Sequence, residues 1–189
     1  MARPLSEDKR TAILEAAAEV IATLGLSAPT AKIAKGAGVA EGTLFTYFAN
    51  KDELLNRLYL ELKMDLRDAM MTGYPAGKSL IDRNRHVWDR YIGWGSAHPL
   101  KRRAMRQLVV SDRITEESKK LVSNAFEEFD NMMRECAAGG PMRHQPPSFV
   151  SAIMSAIGDT TMDFIVHEPA RAKRYTNAGF DAFWNAVAG

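Results

Sequence analysis

Apolar residues recur along this chain every three or four positions, the spacing that places side chains on one face of an α-helix. One stripe near the N-terminus is ended by Gly25 and consists of Ile13, Ala16, Ala17, Val20, Ile21 and Leu24. A second stripe follows on a helix that begins near Lys51, at Leu54, Leu55, Leu58, Leu62 and Leu66. No segment alternates apolar and polar residues as a half-buried strand does. The pattern therefore predicts an all-α fold.

Clusters of glycine and proline indicate where the predicted helices end. They occupy residues 73–79, 95–99 and 137–148 and divide the chain after the fourth helix into about five further helices. The sequence thus predicts about nine helices in two domains, residues 1–60 and residues 61–189. The fourth helix would run continuously from the first domain into the second.

Residues 30–51 have the pattern of two short helices joined by a sharp turn. Gly38 suits a turn at positive φ because it has no Cβ, and Ala34 lets the two helices cross closely. The apolar faces of the two helices consist of Ile33, Ala34, Ala37, Leu44, Phe45 and Phe48. The alternative is a chance glycine between two ordinary surface helices. The complete spacing favours a helix-turn-helix unit.

This segment resembles the DNA-binding domain of the tetracycline-repressor-like (TetR) family. The family's usual signature is T-x-x-x-I-A-x-x-A-G-V-S-x-G-T-L-Y-x-H-F-x-x-K-x-x-L, and the resemblance covers roughly Ile13 to Leu55. The resemblance implies an N-terminal three-helix helix-turn-helix DNA-binding domain. It also implies a variable C-terminal helical domain that binds ligand and forms a homodimer through its last two long helices.

The resemblance further implies which residues contact DNA. Thr30, Thr43, Tyr47 and Lys51 correspond to positions that contact phosphates, and Glu41 and Gly42 to the base-facing start of the recognition helix. With Thr46 added as a second candidate for base recognition, the predicted DNA-binding residues are Thr30, Glu41, Gly42, Thr43, Thr46, Tyr47 and Lys51.

Two residues depart from the signature. Phe45 replaces a tyrosine whose hydroxyl could bond a phosphate, and Ala40 replaces a serine that would cap the recognition helix. The first 60 residues contain seven Lys and Arg and seven Asp and Glu, so bulk charge does not indicate nucleic acid. DNA binding would then depend on the local placement of Lys51, Arg3, and the pair Lys9 and Arg10.

Composition and cysteine content narrow the class of protein. The 189 residues are 46% hydrophobic and 25% charged, as in an ordinary soluble globular protein. The single cysteine, Cys136, excludes an internal disulfide and multi-cysteine metal motifs. We see no cleavable leader and no uninterrupted apolar run approaching membrane-spanning length. A cytoplasmic location without membrane association, and no cofactor, are expected.

Aromatic and methionine residues in the predicted second domain are candidates for a ligand pocket. Trp88, Tyr91 and Trp94 follow one another at three-residue intervals, and methionine-rich neighbours would give adaptable walls for an apolar effector. The predicted ligand-binding residues are Trp88, Tyr91, Trp94, Met105, Phe126, Phe129, Met133 and Met162. The alternative is that this stripe is plain hydrophobic core.

The last two predicted helices, residues 148–166 and 170–187, are candidates for a dimer interface. Both carry broad apolar faces, and small residues in the first permit close approach of another helix. The predicted interface residues are Phe149, Ile153, Ile157, Phe180, Phe183 and Trp184.

Two groups of residues raise the possibility of metal binding or catalysis. Asp159, Asp163 and His167 are spaced for one helical face, as are Asp82 and His86, but neither group has its remaining ligands fixed by sequence. Solvated helix faces or salt bridges are the favoured interpretation. No metal site and no enzyme activity are expected.

The sequence therefore predicts a ligand-responsive DNA-binding transcriptional regulator, a homodimer that binds a palindromic double-stranded operator. We expect the protein to be a repressor that an unknown small-molecule effector releases from the operator. The alternative is an all-helical small-molecule-binding or interaction protein that does not bind DNA.

Overall fold

The computed structural model describes residues 6–189, so the predicted phosphate contact of Arg3 lies outside the described residues. The described residues form ten α-helices and one 3-10 turn. The helices are α1 (Glu7–Leu24), α2 (Thr30–Gly36), α3 (Glu41–Tyr47), α4 (Lys51–Met71), α5 (Leu80–Ala97), α6 (Pro99–Val109), α7 (Glu116–Ala125), α8 (Glu127–Ala137), α9 (Pro147–His167) and α10 (Ala172–Val187), with the 3-10 turn at Pro169–Arg171. The predicted all-α fold is confirmed for these residues.

The ends of the first helices follow from local chemistry. Ser6 caps α1 by accepting a hydrogen bond from the amide of Lys9, and Gly25 ends the helix at φ +82°. Gly38 lies between α2 and α3 at φ +67°, which confirms the predicted turn at positive φ. Ala40 precedes α3 without a side-chain cap, as expected from the loss of the usual serine.

Contacts within the chain define two compact units. The first consists of the described residues up to Met64 together with His98–Val122. In it, α1 packs on both α2 and α6. The side-chain amide of Gln107 in α6 donates to the carbonyl of Ile21 over 3.1 Å. This unit therefore contains the helix-turn-helix and also two later segments that the linear domain prediction did not place with it.

The buried side chain of Asn56 organises the turn between α6 and α7 inside the first unit. Its amide nitrogen donates to the carbonyl of Arg113, and its carbonyl oxygen accepts from the amide of Thr115, both over 2.9 Å. The guanidinium of Arg113 also lies 2.5 Å from the carboxylate of Asp52. The beginning of α4 is thus tied to the α6–α7 turn by buried and surface polar contacts.

The second unit consists of Asp65–Ala97 and Ser123–Gly189. Its central helix is α9, which packs on α5, α8 and α10. Trp88 of α5 is fully buried between these helices and stacks on Phe183 of α10. The core of this unit is therefore aromatic.

Two features of the fold differ from the linear prediction. Six helices follow α4 rather than about five, and two of the breaks between them, at residues 110–115 and at Phe126, contain no glycine or proline. The boundary between the compact units falls inside α4, between Met64 and Asp65, and the first unit also includes His98–Val122. The assignment of functions to residues 1–60 and 61–189 stays a prediction.

Candidate nucleic-acid interface

The recognition helix α3 is anchored by two buried apolar side chains, and most of its surface is exposed. Leu44 within the helix and Phe48 at its C-cap are buried, whereas Glu41, Gly42 and Thr46 are exposed. A Cβ added at Gly42 would have no neighbouring atom within 4 Å. The structure thus brings the predicted base-facing residues together on an open face.

An aromatic ring lies on the same open helix. Phe45 is 42% exposed, although the sequence pattern predicted it on the apolar face of the helix-turn-helix. Because an apolar side chain can contact the methyl group of thymine in the major groove, this ring is a further candidate for base recognition. The substitution of the family's tyrosine suggests only a lost hydrogen bond, so the sequence pattern alone misses this possibility.

Thr30 and Glu41 connect α2 to α3 through their side chains. The hydroxyl of Thr30 donates to the carboxylate of Glu41 over 2.5 Å. Thr30 is half-buried and Glu41 is exposed. One residue expected at a phosphate and one expected at a base therefore contact each other in the free protein.

Thr43, Thr46 and Tyr47 lie on the other faces of α3. Thr46 donates from its hydroxyl to the carbonyl of Gly42 over 3.1 Å, and Thr43 is half-buried. The hydroxyl of Tyr47 accepts from the amide of Ser6 over 3.0 Å, which attaches α3 to the start of α1. Since that contact uses only a lone pair, the phenolic proton of Tyr47 stays available for a phosphate.

Lys51 begins α4 beside the helix-turn-helix. Its ammonium donates to the buried carbonyl of Ala28 over 2.6 Å, and so fixes the α1–α2 loop. Burial lowers the pKa of Lys51, Arg113 lowers it further, and Asp52 opposes the change. An ammonium has three donors, so this contact leaves Lys51 two N–H groups for a phosphate.

Basic residues flank this face on α1 and α2. Lys9 is exposed, Arg10 lies 4.0 Å from Glu7, and Lys32 and Lys35 are exposed on α2. These side chains can follow a nucleic-acid backbone even though residues 1–60 carry no net positive charge.

The predicted ligand residues are mostly packed core in the second unit. The indole N–H of Trp88 donates to the carbonyl of Thr176 over 2.9 Å, and its ring lies 5.9 Å from that of Phe183. A Cβ added at Gly179 would lie 2.7 Å from the indole, and one added at Gly158 would collide with the ring of Tyr91. Trp88 and Tyr91 therefore fill space left by glycines of α9 and α10.

The other predicted ligand residues are distributed differently. Trp94, Met133 and Met162 are buried in the second unit, and Met105 belongs to the first unit. Phe126 and Phe129 line a cavity of about 10 Å³ together with Met70 and Met71. Such a cavity holds about one water molecule, so an effector would have to enlarge it.

The predicted dimer residues separate into exposed and buried groups. Phe149 is 45% exposed, and Ile153, Ile157 and Trp184 are half-buried, whereas Phe180 and Phe183 are buried within the second unit. A groove of about 510 Å³ runs along the surface between α9 and α10. It is lined by Ala156, Ile157, Thr160, Thr161, Phe164, Tyr175, Ala178 and Gly179.

Helix α9 has an unusually apolar composition for a helix with an exposed side. Pro147–His167 is the one helix among the described residues that is long and apolar enough to cross a membrane, with a mean hydropathy of 1.4. Polar residues such as Asp159 interrupt it, so it is not an uninterrupted apolar run. Its inward side packs on three helices of the same unit.

The candidate metal groups have other contacts. His167 bonds through Nδ1 to the carbonyl of Asp163 over 2.7 Å, and His86 bonds through Nε2 to the carbonyl of Thr72 over 3.1 Å. Asp82 accepts from the hydroxyl of Ser79 over 2.6 Å. Within residues 6–189, no group of three or more His, Cys, Asp and Glu residues is arranged to hold a metal ion.

Comparisons with known proteins agree with this geometry. Residues 13–58 match the model of a family described as bacterial regulatory proteins, tetR family. The chain is 50% identical over 50 residues to the fatty acid metabolism regulator protein of Bacillus subtilis (strain 168), a match that covers 26% of each protein. The matched segment therefore spans only about a quarter of that relative's length.

Solved structures match over nearly the whole chain. A crystal structure from Shewanella sp. PV-4, provisionally assigned as a tetR family transcription regulator, has a TM-score of 0.83 and 27% identity and covers 96% of this chain and 98% of that one. The TetR-like transcriptional regulator LfrR from Mycobacterium smegmatis, solved in complex with proflavine, has a TM-score of 0.68 and 17% identity, with 95% and 97% coverage. At 17% identity, this second match shows only that the two chains share a fold.

Proposed function

This chain belongs to the tetR family of bacterial regulatory proteins, and we propose that it is a DNA-binding transcriptional regulator that responds to a small molecule. The observation that carries the proposal is the open face of α3. This helix is held from below by Leu44 and Phe48 and presents Glu41, Gly42 and Thr46 outward. Such a helix, set across a tight glycine turn from α2, has the form that enters a major groove.

We propose that two copies bind one operator. A seven-residue recognition helix contacts few base pairs, whereas a twofold pair reads two half-sites about 34 to 36 Å apart, or somewhat more. The operator would then be palindromic double-stranded DNA. Thr30, Thr43, Tyr47 and Lys51 would position the protein on phosphates, while Glu41, Gly42 and Thr46 would approach the bases.

The proposed dimer surface is the exposed side of α9 with the adjoining side of α10. Phe149 and Phe164 are 45% and 52% exposed on α9, and small residues between them, including Ala156 and Thr160, leave room for a partner helix. An apolar face of this kind on a regulator indicates a helix–helix interface more readily than a membrane span. Phe180 and Phe183 would support this surface from the core. The proposed location of the protein is the cytoplasm.

We place the effector site in the second unit, next to the small cavity at Phe126 and Phe129. Methionine side chains adapt their shape at low cost, so Met70, Met71 and Met133 could repack around an apolar molecule. Proflavine, the ligand bound to LfrR, is consistent with an aromatic effector class. The fatty acid metabolism regulator of Bacillus subtilis resembles only the DNA-binding segment, so its name does not identify the effector here.

The proposed switch uses α4, which contributes residues to both compact units. An effector that binds one arrangement of this helix better than another would alter the spacing of the two recognition helices. Release of a repressor from its operator is the favoured direction. Trp88, Tyr91, Trp94 and Met162 would then respond through the packing of the second unit's core rather than as the first contacts of the ligand, and Met105, in the first unit, would not contact it.

DNA binding is tested by a gel shift with duplex DNA from upstream of the protein's own gene and with a scrambled duplex of equal composition. If the operator does not lie upstream of this gene, selection from a randomised duplex library identifies the sequence that the protein binds. We expect the wild type to retain the upstream duplex specifically and Gly42→Leu to lose this retention, since Gly42 is exposed and a side chain there would occupy the surface that we propose to face the groove.

The matched control is Gly93→Leu. Gly93 lies inside the exposed part of α5, and a Cβ added there, like one added at Gly42, would have no neighbouring atom within 4 Å. This variant should therefore bind DNA as the wild type does. If the wild type enriches no sequence and retains neither duplex, the DNA-binding proposal is wrong. The alternative, a helical binding protein without DNA binding, would then be preferred.

A further inference from the structure

The contact between Thr30 and Glu41 has a consequence for any nucleic acid that approaches this face. A threonine hydroxyl carries one proton, and here that proton is donated to the carboxylate over 2.5 Å. While the contact is intact, Thr30 presents only lone pairs and Glu41 presents negative charge. Both groups then disfavour a phosphate.

The contact lies where a nucleic acid would have to approach. Thr30 begins α2 and Glu41 begins α3, and Gly42 beside it leaves the outer surface open. Neither helix has a side-chain cap that would compete for these two groups, since Pro29 and Ala40 precede them. The hydroxyl and the carboxylate therefore satisfy each other until a ligand replaces the contact.

We propose that the Thr30–Glu41 pair discriminates against non-specific DNA, an inference that rests on the proposed DNA-binding function. On random sequence the pair must break, or it must bring a carboxylate towards phosphates and base acceptors, and both are unfavourable. On the correct sequence an exocyclic amino group, N4 of cytosine or N6 of adenine, donates to Glu41. The Thr30 hydroxyl is then free to donate to a phosphate.

In this arrangement the effect of Glu41 on DNA affinity depends on the DNA sequence. Glu41 lowers affinity for DNA that lacks an amino group at its position and tolerates DNA that has one. Specificity is a difference between two affinities, so weakening the competitor raises it without strengthening the correct complex. The near-neutral charge of the first 60 residues fits a protein whose non-specific affinity is kept low.

The test is a double-mutant cycle with Glu41→Gln and Thr30→Val, alone and combined. Fluorescence anisotropy measures the Kd for a random-sequence duplex and for the duplex that the wild type enriches from a randomised library, at one fixed salt concentration. Glu41→Gln should tighten binding to the random duplex by about tenfold, because the broken contact is a hydrogen bond to a charged group. The gain should be clearly smaller when Thr30 is already valine.

Glu19→Gln is the control for a general change of charge. Glu19 is exposed on α1, so this variant removes the same charge from the same unit without touching the pair. Both Glu41 and Thr30 lie at the surface, and circular dichroism melts establish that each variant is folded. Repeated library selection with Glu41→Ala, which unlike glutamine offers no amide to an adenine edge, should also lose the preference for cytosine or adenine at one position in each half-site.

The outcomes separate this inference from the proposed function. If the wild type enriches a sequence but Glu41→Gln matches Glu19→Gln on the random duplex and Glu41→Ala keeps every base preference, the discriminator is refuted while DNA binding stands. If the two substitutions are additive, Glu41 acts on DNA without Thr30 and the pair is refuted. If no variant binds any duplex, both proposals are wrong.

Discussion

Replacing Trp88 by alanine decides whether the aromatic stripe is core or ligand pocket. Trp88 is 0% exposed, its indole N–H bonds to the Thr176 carbonyl over 2.9 Å, and its ring stacks on Phe183 and meets Phe180 edge-on. Each of these contacts lies within the second unit. The substitution therefore removes a side chain that is enclosed on every side.

The expected loss of stability is large. Emptying a packed aromatic site costs about 3 to 5 kcal/mol, and the lost indole hydrogen bond adds about 1 kcal/mol. Domains of this size are stable by only about 5 to 15 kcal/mol, so the variant should lose about a quarter or more of its free energy of unfolding. The Tm should fall by about 10 °C or more.

Urea denaturation followed by far-ultraviolet circular dichroism measures this loss, since it needs neither operator nor effector. Trp184→Ala is the matched control, because Trp184 is half-buried at the surface of α10 and should lose clearly less. A loss below about 1 kcal/mol for Trp88→Ala would refute the packing argument. The ring would then border open space, and the stripe would be a preformed pocket.

Three further predictions test the packing, the DNA face and the dimer surface. Gly158→Ala should destabilise the protein by at least about 1 kcal/mol in thermal melts, while Gly93→Ala, which is open to solvent in α5, should be neutral or stabilising; equal effects would contradict the close approach. Lys51→Met should weaken specific and non-specific DNA binding alike and flatten the log–log salt slope by about one per phosphate lost. An unchanged slope would remove Lys51 from the phosphates. Phe164→Glu should convert a dimer to a monomer in light scattering, while Val110→Glu, at a residue that is 83% exposed, should not; a wild-type monomer at micromolar concentration would overturn the interface.

The helix-turn-helix could be predicted from the sequence because its constraints are local. Positive φ at Gly38 and the burial of Ile33, Ala34 and Leu44 depend on residues within a few positions of one another. A turn that only glycine adopts easily, with apolar residues at helical spacing on both sides, leaves few alternative structures.

The two missed helix breaks are stabilised by partners distant in sequence. The break at residues 110–115 is stabilised by Asn56 of α4, whose side chain bonds the backbone of Arg113 and of Thr115. The break near Phe126 depends on Arg67, whose Nε donates to the last carbonyl of α7, at Ala125, over 2.8 Å. Neither break contains glycine or proline, so the local residues carry no signal of it. Side chains of α4 thus contact the chain at both breaks.

The contacts within the candidate DNA face could not be predicted for a similar reason. The motif predicted that Thr30, Glu41 and Lys51 contact nucleic acid. Their hydrogen-bond partners within the folded chain, however, depend on how α2, α3 and α4 cross. Lys51 reaches the Ala28 carbonyl 23 positions away, and Thr30 reaches Glu41 across the turn. These residues hold the unit together and are also residues that we propose to bind DNA, so substitutions at them need a stability control.

The last two helices show why apolar periodicity alone does not separate core from interface. Helix α9 is apolar around much of its circumference, so both the set Phe149, Ile153 and Ile157 and the set Ala156, Thr160 and Phe164 share a four-residue spacing. A shift of one residue rotates the chosen face by about 100°. The side chain of Tyr91 against Gly158 fixes which side of α9 faces the core. With that side occupied, we expect a partner helix to approach over Ala156 and Thr160, where the small side chains leave the groove open and Phe164 lies at its end.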